Sequence, residues 1–231
     1  MTSKPTIFIT GASRGIGLEI ARKFYSEGYS VAICARNPEK IAEAKAEMPD
    51  LDAYVCDISD KTAVKSLANI LLEKYGALDV LVNNGGAFQP GQVHSESDEV
   101  FETLLATNLN SAYYFTKALL PPMIARKAGT VVNICSIASI TPYANGGSYS
   151  ISKFAMLGFG KVLREEMKPH SIRVVNILPG AVRTDSWSSS DLPESRFIPP
   201  EDIAELVWTS NKLSSRSVIE DLVIRPLLGD I

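Results

Sequence analysis

The sequence predicts an α/β fold in which a seven-stranded parallel sheet is covered by helices on both faces. Strand-like apolar runs alternate with helix-like runs along nearly all of the 231 residues. This alternation is typical of parallel strands joined by crossover helices. No repeat, linker or charge run divides the chain. We therefore expect a single domain over residues 1–231.

Short apolar runs rich in β-branched residues predict the strands. These runs lie near residues 5–10, 30–35, 52–56, 78–83, 129–135, 172–178 and 218–224. Between them, apolar residues mostly recur at helical spacing. The predicted helices span residues 16–27, 38–47, 61–75, 97–126, 148–167 and 201–211. Residues 185–199 are rich in serine and have loop composition, which predicts a short mobile flap over a substrate site.

The composition is that of an ordinary globular protein. Hydrophobic residues make up 45% of the chain and charged residues 21%, with a net charge of −3. This balance lacks the basic surface that nucleic-acid binding needs. The sequence also contains no apolar stretch long enough for a signal peptide or a membrane span. We expect a cytoplasmic protein that binds neither nucleic acids nor membranes.

The cysteines and histidines do not predict a metal site. Cys34, Cys56 and Cys135 each lie in or beside an apolar strand-like run, so we expect them in the core. The chain has no C-x-x-C pair, and neither His94 nor His170 has a second ligand at metal spacing. We expect both histidines at the surface.

Tyr149, Lys153 and Ser136 predict reduction of a carbonyl group. Tyr149 and Lys153 are four residues apart in a predicted helix, so they lie on one face. Ser136 follows an apolar strand and so lies at a sheet edge where sites form. Hydride transfer to a carbonyl carbon leaves negative charge on the oxygen, which requires a proton donor and hydrogen bonds. The alternative for the tyrosine and lysine is an exposed amphipathic helix face.

Tyr149 is the predicted general acid of this trio. A free tyrosine has a pKa of about 10. Because a nearby ammonium stabilises phenolate, we expect Lys153 to lower the pKa of Tyr149. We expect Ser136 to hydrogen-bond the substrate oxygen and orient it.

A glycine-rich turn predicts a dinucleotide site. Residues 10–17 connect the first strand to the first helix. Unpaired N–H groups and the helix dipole attract phosphate there, and glycines let it approach closely. The alternative is a tight turn that needs glycine without any ligand. The predicted cofactor-binding residues of this turn are Gly11, Ser13, Arg14, Gly15, Ile16 and Gly17.

The end of the second strand favours NADP(H) over NAD. An acidic residue at this position would bind the ribose hydroxyl and repel a 2′-phosphate. The chain instead has Arg36 after Ala35, and Arg14 lies in the glycine turn. A guanidinium suits phosphate oxygens. The alternative for either arginine is an ordinary solvated surface residue.

Several separated motifs resemble the short-chain dehydrogenase/reductase family, in its single-domain Rossmann form with a Tyr-x-x-x-Lys active site. The likeness runs nearly from end to end. The motifs are Thr10–Gly17, Cys56-Asp57-Ile58, Asn83–Gly86, Asn108, Ser136, Tyr149 with Lys153, and Pro179–Thr184.

The resemblance implies further roles. Asp57 and Ile58 would bracket the adenine, and residues 83–86, with Asn84 and Gly85, would pass the adenosine ribose. Tyr149 and Lys153 would also belong to the cofactor site, where Lys153 holds the nicotinamide ribose. Asn108 would join the catalytic group through a water-linked relay to Lys153. The nicotinamide would lie along Pro179, Gly180, Val182 and Thr184.

The leading hypothesis is therefore an NADPH-dependent reductase of a small or medium, partly apolar ketone or aldehyde, reversible to alcohol oxidation. A sugar-nucleotide epimerase or dehydratase shares the Tyr-x-x-x-Lys spacing, but it normally needs a separate substrate domain and a different glycine spacing. A non-catalytic NADP-binding regulatory protein would have no reason to keep a proton donor, lysine and serine.

The substrate and the assembly are less well defined by the sequence. Phe88, Pro142, Tyr143 and Trp187 follow motif residues and either line an apolar pocket or pack within loops. Relatives pair through the long helices around Asn108 and Tyr149, so the resemblance implies a homodimer or homotetramer. The flap is shorter than in the 3-oxoacyl-carrier-protein reductases, and residues 219–226 differ from the glycine-rich ending usual there. Both differences argue against an acyl-carrier substrate and against the usual tetramer contact through the last strand.

Overall fold

The computed structural model describes residues 4–187 and 190–231. The strands within these residues form one sheet, in the order β3-β2-β1-β4-β5-β6-β7, and all neighbours are parallel. The predicted doubly wound α/β fold is therefore confirmed. The strands are β1 (Thr6–Thr10), β2 (Ser30–Ala35), β3 (Asp52–Val55), β4 (Val80–Asn83), β5 (Gly129–Ile134), β6 (Ile172–Pro179) and β7 (Asp221–Ile224).

Helices connect successive strands. Two of them begin at side chains that the sequence supplies locally: Asn37 accepts hydrogen bonds from the N–H groups of Glu39 and Lys40 at 2.8 and 3.0 Å, and Asp60 accepts one from Thr62 at 2.7 Å. The helices are α1 (Gly15–Ser26), α2 (Pro38–Glu47), α3 (Lys61–Tyr75), α4 (Asp98–Leu105), α5 (Ser111–Arg126), α6 (Gly147–Met167) and α7 (Pro200–Lys212).

The predicted helix over residues 97–126 is helical throughout residues 98–126 but contains an irregularity that the sequence did not predict. A π turn, Ala106–Asn110, separates α4 from α5. The wider turn accommodates one extra residue, so that the amide of Asn108 bonds to Ala87 and Ser152 instead of facing solvent. Hydrophobic periodicity does not reveal such a turn, because it shifts the helix phase by only one residue. Turns of this kind are frequent at functional sites.

The core consists of two apolar layers, one on each face of the sheet. Along β1, Ile7 and Ile9 belong to one layer and Phe8 to the other, and all three are fully buried. Phe8 packs edge to face on Phe115 of α5, with ring centroids 5.2 Å apart. Because helices cover both faces, the central strands are apolar at nearly every position.

A row of polar side chains crosses the sheet within this core; we call it the amide ladder. Asn83, Asn133, Asn176 and Asp221 occupy paired positions on β4 to β7. Each asparagine donates a hydrogen bond to the side-chain oxygen of the next residue, at 3.0, 2.9 and 2.9 Å. Gly160 of α6 lies directly over the ladder, where a Cβ would be 2.0 Å from Asn176 Oδ1. A glycine at this position therefore lets α6 approach the sheet closely.

The three cysteines are free and buried, which confirms their prediction as core residues. His94 is exposed and His170 partly exposed. Among residues 4–187 and 190–231, no group of three histidine, cysteine or acidic side chains is arranged to hold a metal ion. Over the same residues, no helix is long and apolar enough to cross a membrane.

Candidate active site

A cleft of about 650 Å³ opens at the carboxyl edge of the sheet. It lies around the point between β1 and β4 where the strand order reverses, which is the usual ligand position in open α/β sheets. Most of the predicted cofactor residues line it. These are Gly11, Ser13, Arg14, Gly15, Ile16, Arg36, Asp57, Ile58, Asn84, Gly85 and Thr184.

Two glycines shape the wall between β1 and α1. Gly11 and Gly15 both have positive φ, +65° and +56°, a conformation that favours glycine. A Cβ on Gly11 would also lie 2.7 Å from the Cα of Gly85. Among the described residues, no side chain caps the first turn of α1, so its N–H groups are available to an anion. The turn is therefore a backbone cradle for phosphate.

Gly17 has a different place from the one predicted. It is buried, and a Cβ there would lie 2.5 Å from Asn84 Nδ2. Asn84 Nδ2 donates to the carbonyl oxygens of Thr10 and Gly11 at 2.9 and 3.0 Å. Gly17 thus lets α1 pack against Asn84, which ties the segment after β4 to the glycine turn.

Three cationic side chains line one end of the cleft: Arg14, Arg36 and Lys40. Sequence reasoning missed Lys40, although it lies four residues after Arg36 in the first turn of α2. Arg14 pairs with Asp185 at 2.6 Å across the cleft, with both side chains about two-thirds exposed. Lys40 pairs with Glu43 at 2.7 Å. Since such exposed pairs are weak, the three cations remain available to an anionic ligand.

Asp57 also lines the cleft, close enough to Arg36 to interact with its charge. The hydroxyl and N–H groups of Ser59 donate to its Oδ1 at 2.7 and 2.9 Å. These two hydrogen bonds, with a smaller contribution from Arg36, lower the pKa of Asp57. The carboxylate is therefore ionised at neutral pH and accepts hydrogen bonds.

Tyr149, Ser136 and Lys153 come together beside the cleft, with Lys153 close to its lining residue Gly86. Tyr149 and Lys153 lie on α6, and the Lys153 Nζ is 5.9 Å from the centroid of the Tyr149 ring. Lys153 is buried and donates to the carbonyl oxygen of Ile134 at 3.1 Å. Ser136 lies close enough to Tyr149 to lower its pKa, although by less than burial raises it. The predicted trio therefore shares one site.

Burial controls the ionisation of the trio. It raises the pKa of Tyr149, and the smaller effect of Ser136 lowers it. Burial also lowers the pKa of Lys153. The expected net lowering of the Tyr149 pKa by Lys153 is wrong for this structure, because removal of the phenol from water outweighs other effects. Tyr149 consequently keeps its proton at neutral pH.

Ser136 is held by its own short turn. It follows β5 and caps the 3₁₀ turn Ile137–Ser139, where its Oγ accepts from the N–H of Ala138 at 3.1 Å. The Ser139 hydroxyl accepts from the N–H of Ser136 at 3.2 Å. Ser139, which sequence reasoning missed, completes this capping box and fixes Ser136 at the sheet edge.

Asn108 joins three parts of the site through its amide group and is only 2% exposed. Its Oδ1 accepts from the N–H of Ala87 at 2.7 Å, and its Nδ2 donates to the Ala87 carbonyl at 3.0 Å and to Ser152 Oγ at 2.9 Å. A Cβ on Gly86 would lie within 3.1 Å of Asn108 Oδ1 and 3.7 Å of Lys153 Nζ. Asn108 is thus near Lys153, while its role in a relay stays a prediction.

The loop after β6 contributes one predicted residue, Thr184, directly to the cleft. Pro179 is buried at the end of β6, and Gly180 donates its N–H to the Ile224 carbonyl at 2.8 Å. Val182 is buried and forms a β-bridge with Ile198. These three residues support the loop that carries Thr184.

The predicted flap, residues 185–199, contains the short 3₁₀ turns Asp185–Trp187 and Glu194–Arg196. Ser188 and Ser189 lie outside the described residues. The closure of this segment over a substrate therefore stays a prediction.

Aromatic side chains surround the Tyr149 end of the site. The Phe88 ring meets the Tyr149 ring edge to face, with centroids 4.9 Å apart, and Phe88 is 47% exposed. Burial of the hydroxyl, with a smaller effect of Tyr149, raises the pKa of Tyr143 to about 12. Trp187 instead packs on Phe197, at 5.4 Å between centroids. Phe88 is therefore in direct aromatic contact with the predicted acid.

Comparisons with known proteins agree with this geometry. The family model described as short chain dehydrogenase matches residues 5–194. A sepiapterin reductase of Chlorobaculum tepidum is 32% identical over 99% of this chain and 98% of its own length. An NADP-dependent 3-hydroxy acid dehydrogenase of Escherichia coli K12 is 31% identical over 96% of this chain and 94% of its own.

A solved structure of a metagenomic short-chain oxidoreductase in complex with NADP is also similar. It is 33% identical, covers 96% of both chains and superimposes with a TM-score of 0.85. The family model matches most of the chain, and the sheet order and the cleft of this structure agree with it. The protein therefore belongs to the short-chain dehydrogenase family of oxidoreductases.

Proposed function

We propose that residues 1–231 form one NADP(H)-binding domain that reduces the carbonyl group of a small or medium ketone or aldehyde, and oxidises the corresponding alcohol in reverse. The observation that carries this proposal is the position of Tyr149, Ser136 and Lys153 beside a cleft with a phosphate cradle and a cationic end. The parts of the cleft suit the parts of a dinucleotide.

The residues present fit NADP(H). The backbone cradle at Gly11 and Gly15 would hold the pyrophosphate, because the first turn of α1 has no side-chain cap and its N–H groups can bind an anion. Arg14, Arg36 and Lys40 would hold the 2′-phosphate. The NADP in the similar metagenomic oxidoreductase, and the NADP dependence of the Escherichia coli relative, support this choice.

Tyr149 supplies the proton of the proposed reaction. When bound, the reduced nicotinamide supplies a hydride to the carbonyl carbon. The carbonyl π bond breaks, its electron pair moves to the oxygen, and Tyr149 gives its phenolic proton to that oxygen, so an alcohol forms. The raised pKa of Tyr149 suits this role, because the phenol stays protonated at neutral pH.

Ser136 and Lys153 support the transfer. The hydroxyl of Ser136, fixed by its capping box, would donate a hydrogen bond to the developing oxyanion. Lys153 would hold the nicotinamide ribose, and its ammonium would stabilise the phenolate that Tyr149 becomes after proton transfer. Asn108 is close to Lys153 and would take part in a water-linked relay that returns a proton to the site through Lys153.

The surroundings of Tyr149 favour an apolar or aromatic carbonyl substrate. Phe88 contacts Tyr149 and is half exposed. Tyr143, on the segment that leads into α6, is also half exposed. A partly exposed aromatic ring offers a flat apolar surface that suits a substrate of the same character.

A panel of carbonyl compounds with NADPH tests the proposed function. We expect loss of NADPH absorbance with at least one member of a set of aryl ketones, diketones, quinones and pterins, and slower loss with small charged keto acids and acyl thioesters. Tight NADPH binding without turnover of any member would instead favour a regulatory NADP-binding protein.

We also propose that the chain forms a homodimer or homotetramer. Large apolar side chains on the outer surfaces of α5 and α6 support this assembly, since Tyr113, Ile151 and Phe154 are each more than 40% exposed. Light scattering should give a particle mass of two or four chains, and a mass of one chain across the micromolar range would contradict the proposal.

A further inference from the structure

The N-terminus of α6 lacks a cap from its own sequence. The residue at the N-cap position is Gly146, no local side chain in the described part of the chain bonds to the first turn, and that turn contains no acid. The first N–H groups of a helix need partners, and its positive dipole end favours negative charge. Tyr149 lies in this first turn.

Glu96 supplies the missing cap from the segment between β4 and α4. Its Oε1 accepts from the N–H of Ser148 at 3.1 Å and its Oε2 does so at 3.4 Å. The Ser148 hydroxyl also donates to Oε1. Ser148 is 1% exposed and directly precedes Tyr149. A carboxylate distant in sequence thus fixes the residue next to the predicted acid.

The backbone around this contact is closely fitted. Gly91 donates its N–H to the Asn145 carbonyl at 3.0 Å, and Gln92 Nε2 donates to Asn145 Oδ1 at 2.7 Å. A Cβ on Gly91 would lie 2.5 Å from Glu96 Oε2, and one on Gly147 would lie 2.6 Å from the Gly91 carbonyl oxygen. The two segments can meet this closely only because both positions are glycine.

We propose that Glu96 is a positioning residue for catalysis, one that holds the start of α6 against residues 84–97. This segment lines the cleft at Gly85 and Gly86 and carries Phe88 against Tyr149. Glu96 therefore sets the position of the Tyr149 phenol relative to the cofactor cleft. The inference rests on the proposed function for its catalytic consequence.

Three variants test this role: Glu96→Ala removes the acceptor, Glu96→Gln keeps an amide oxygen as acceptor, and Glu102→Ala removes an exposed carboxylate from α4 as the control. We expect Glu96→Ala to lower kcat about tenfold, because small misplacements of a reacting group are costly. NADPH affinity should stay within about twofold, since neither Glu96 nor Ser148 lines the cleft. Glu96→Gln and the control should keep most of the native kcat.

Isotope substitution separates positioning from loss of folded protein. With NADPH deuterated at the transferred position, Glu96→Ala should show a larger isotope effect on kcat than the native enzyme, because hydride transfer becomes slower relative to other steps. An unchanged kcat per NADPH-binding site would overturn the inference. So would an equal loss in Glu96→Gln and Glu96→Ala.

Hydrogen exchange tests the contact without any substrate. Amides of residues 147–150 should exchange about tenfold faster in Glu96→Ala than in the native protein and Glu96→Gln, because the cap is lost. Unchanged exchange would overturn the inference whatever the reaction. The native protein could also fail to reduce any member of the panel while Glu96→Ala still exchanges faster. That result would exclude the proposed reaction and leave the capping role of Glu96 supported.

Discussion

Replacement of Tyr149 by phenylalanine should lower NADPH-dependent turnover by roughly a hundredfold to ten-thousandfold, the range that a lost general acid gives. The substitution removes only the phenolic hydroxyl, and the ring keeps its edge-to-face contact with Phe88. NADPH binding, measured by fluorescence titration, should stay nearly intact because the phosphate cradle and the cations are untouched.

The control for this prediction is Tyr54→Phe, which removes a partly exposed phenol from β3 and should retain most turnover. The pH profile gives a second readout. Since burial raises the pKa of Tyr149, the acid form persists through neutral pH, and reduction should fall only as the pH rises through that raised pKa. Native turnover in Tyr149→Phe would remove Tyr149 as the acid.

Replacement of Arg36 by alanine should weaken NADPH binding about tenfold to a hundredfold and leave NADH binding nearly unchanged. A hydrogen bond to a charged group contributes about 1.5–3 kcal/mol, and only NADPH carries the 2′-phosphate that Arg36 would contact. Dissociation constants for both cofactors, measured on the same preparation, check the prediction. NADH serves as the internal reference.

Arg216→Ala is a matched control for Arg36, because it removes an exposed arginine from the chain between α7 and β7. It should change the affinity for NADPH and for NADH only slightly, through the general loss of one positive charge. If Arg36→Ala weakened the binding of NADPH and NADH equally, the 2′-phosphate would be excluded as the partner of Arg36. Lys40→Ala should act in the same direction as Arg36→Ala, since Lys40 lines the same end of the cleft.

The sheet and most of the site could be predicted because they depend on local signals. Apolar runs identified the strands, and residues that follow parallel strands meet at one sheet edge, which brought Gly11, Arg36, Asp57 and Ser136 to the same rim. The spacing of Tyr149 and Lys153 needed only the period of a helix.

The remaining features depend on contacts between distant segments. Glu96 meets Ser148 across 52 positions, and no periodic pattern links the two. The π turn at Asn108 changes the helix phase by one residue, which a hydrophobic pattern tolerates. The raised pKa of Tyr149 results from burial by several segments at once, whereas the sequence suggested only the opposing charge of Lys153.

The hydrogen bonds of the amide ladder form only when strands β4 to β7 pair in the observed register. A slip of one residue between β5 and β6 would turn Asn176 away from Asn133 and leave unpaired amide groups in a dry interior, at about 1–3 kcal/mol for each group. Misaligned sheets are therefore discriminated against during folding. The same dependence couples neighbouring strands, because an apolar residue at position 133 would leave the amide groups of Asn83 and Asn176 without their partner.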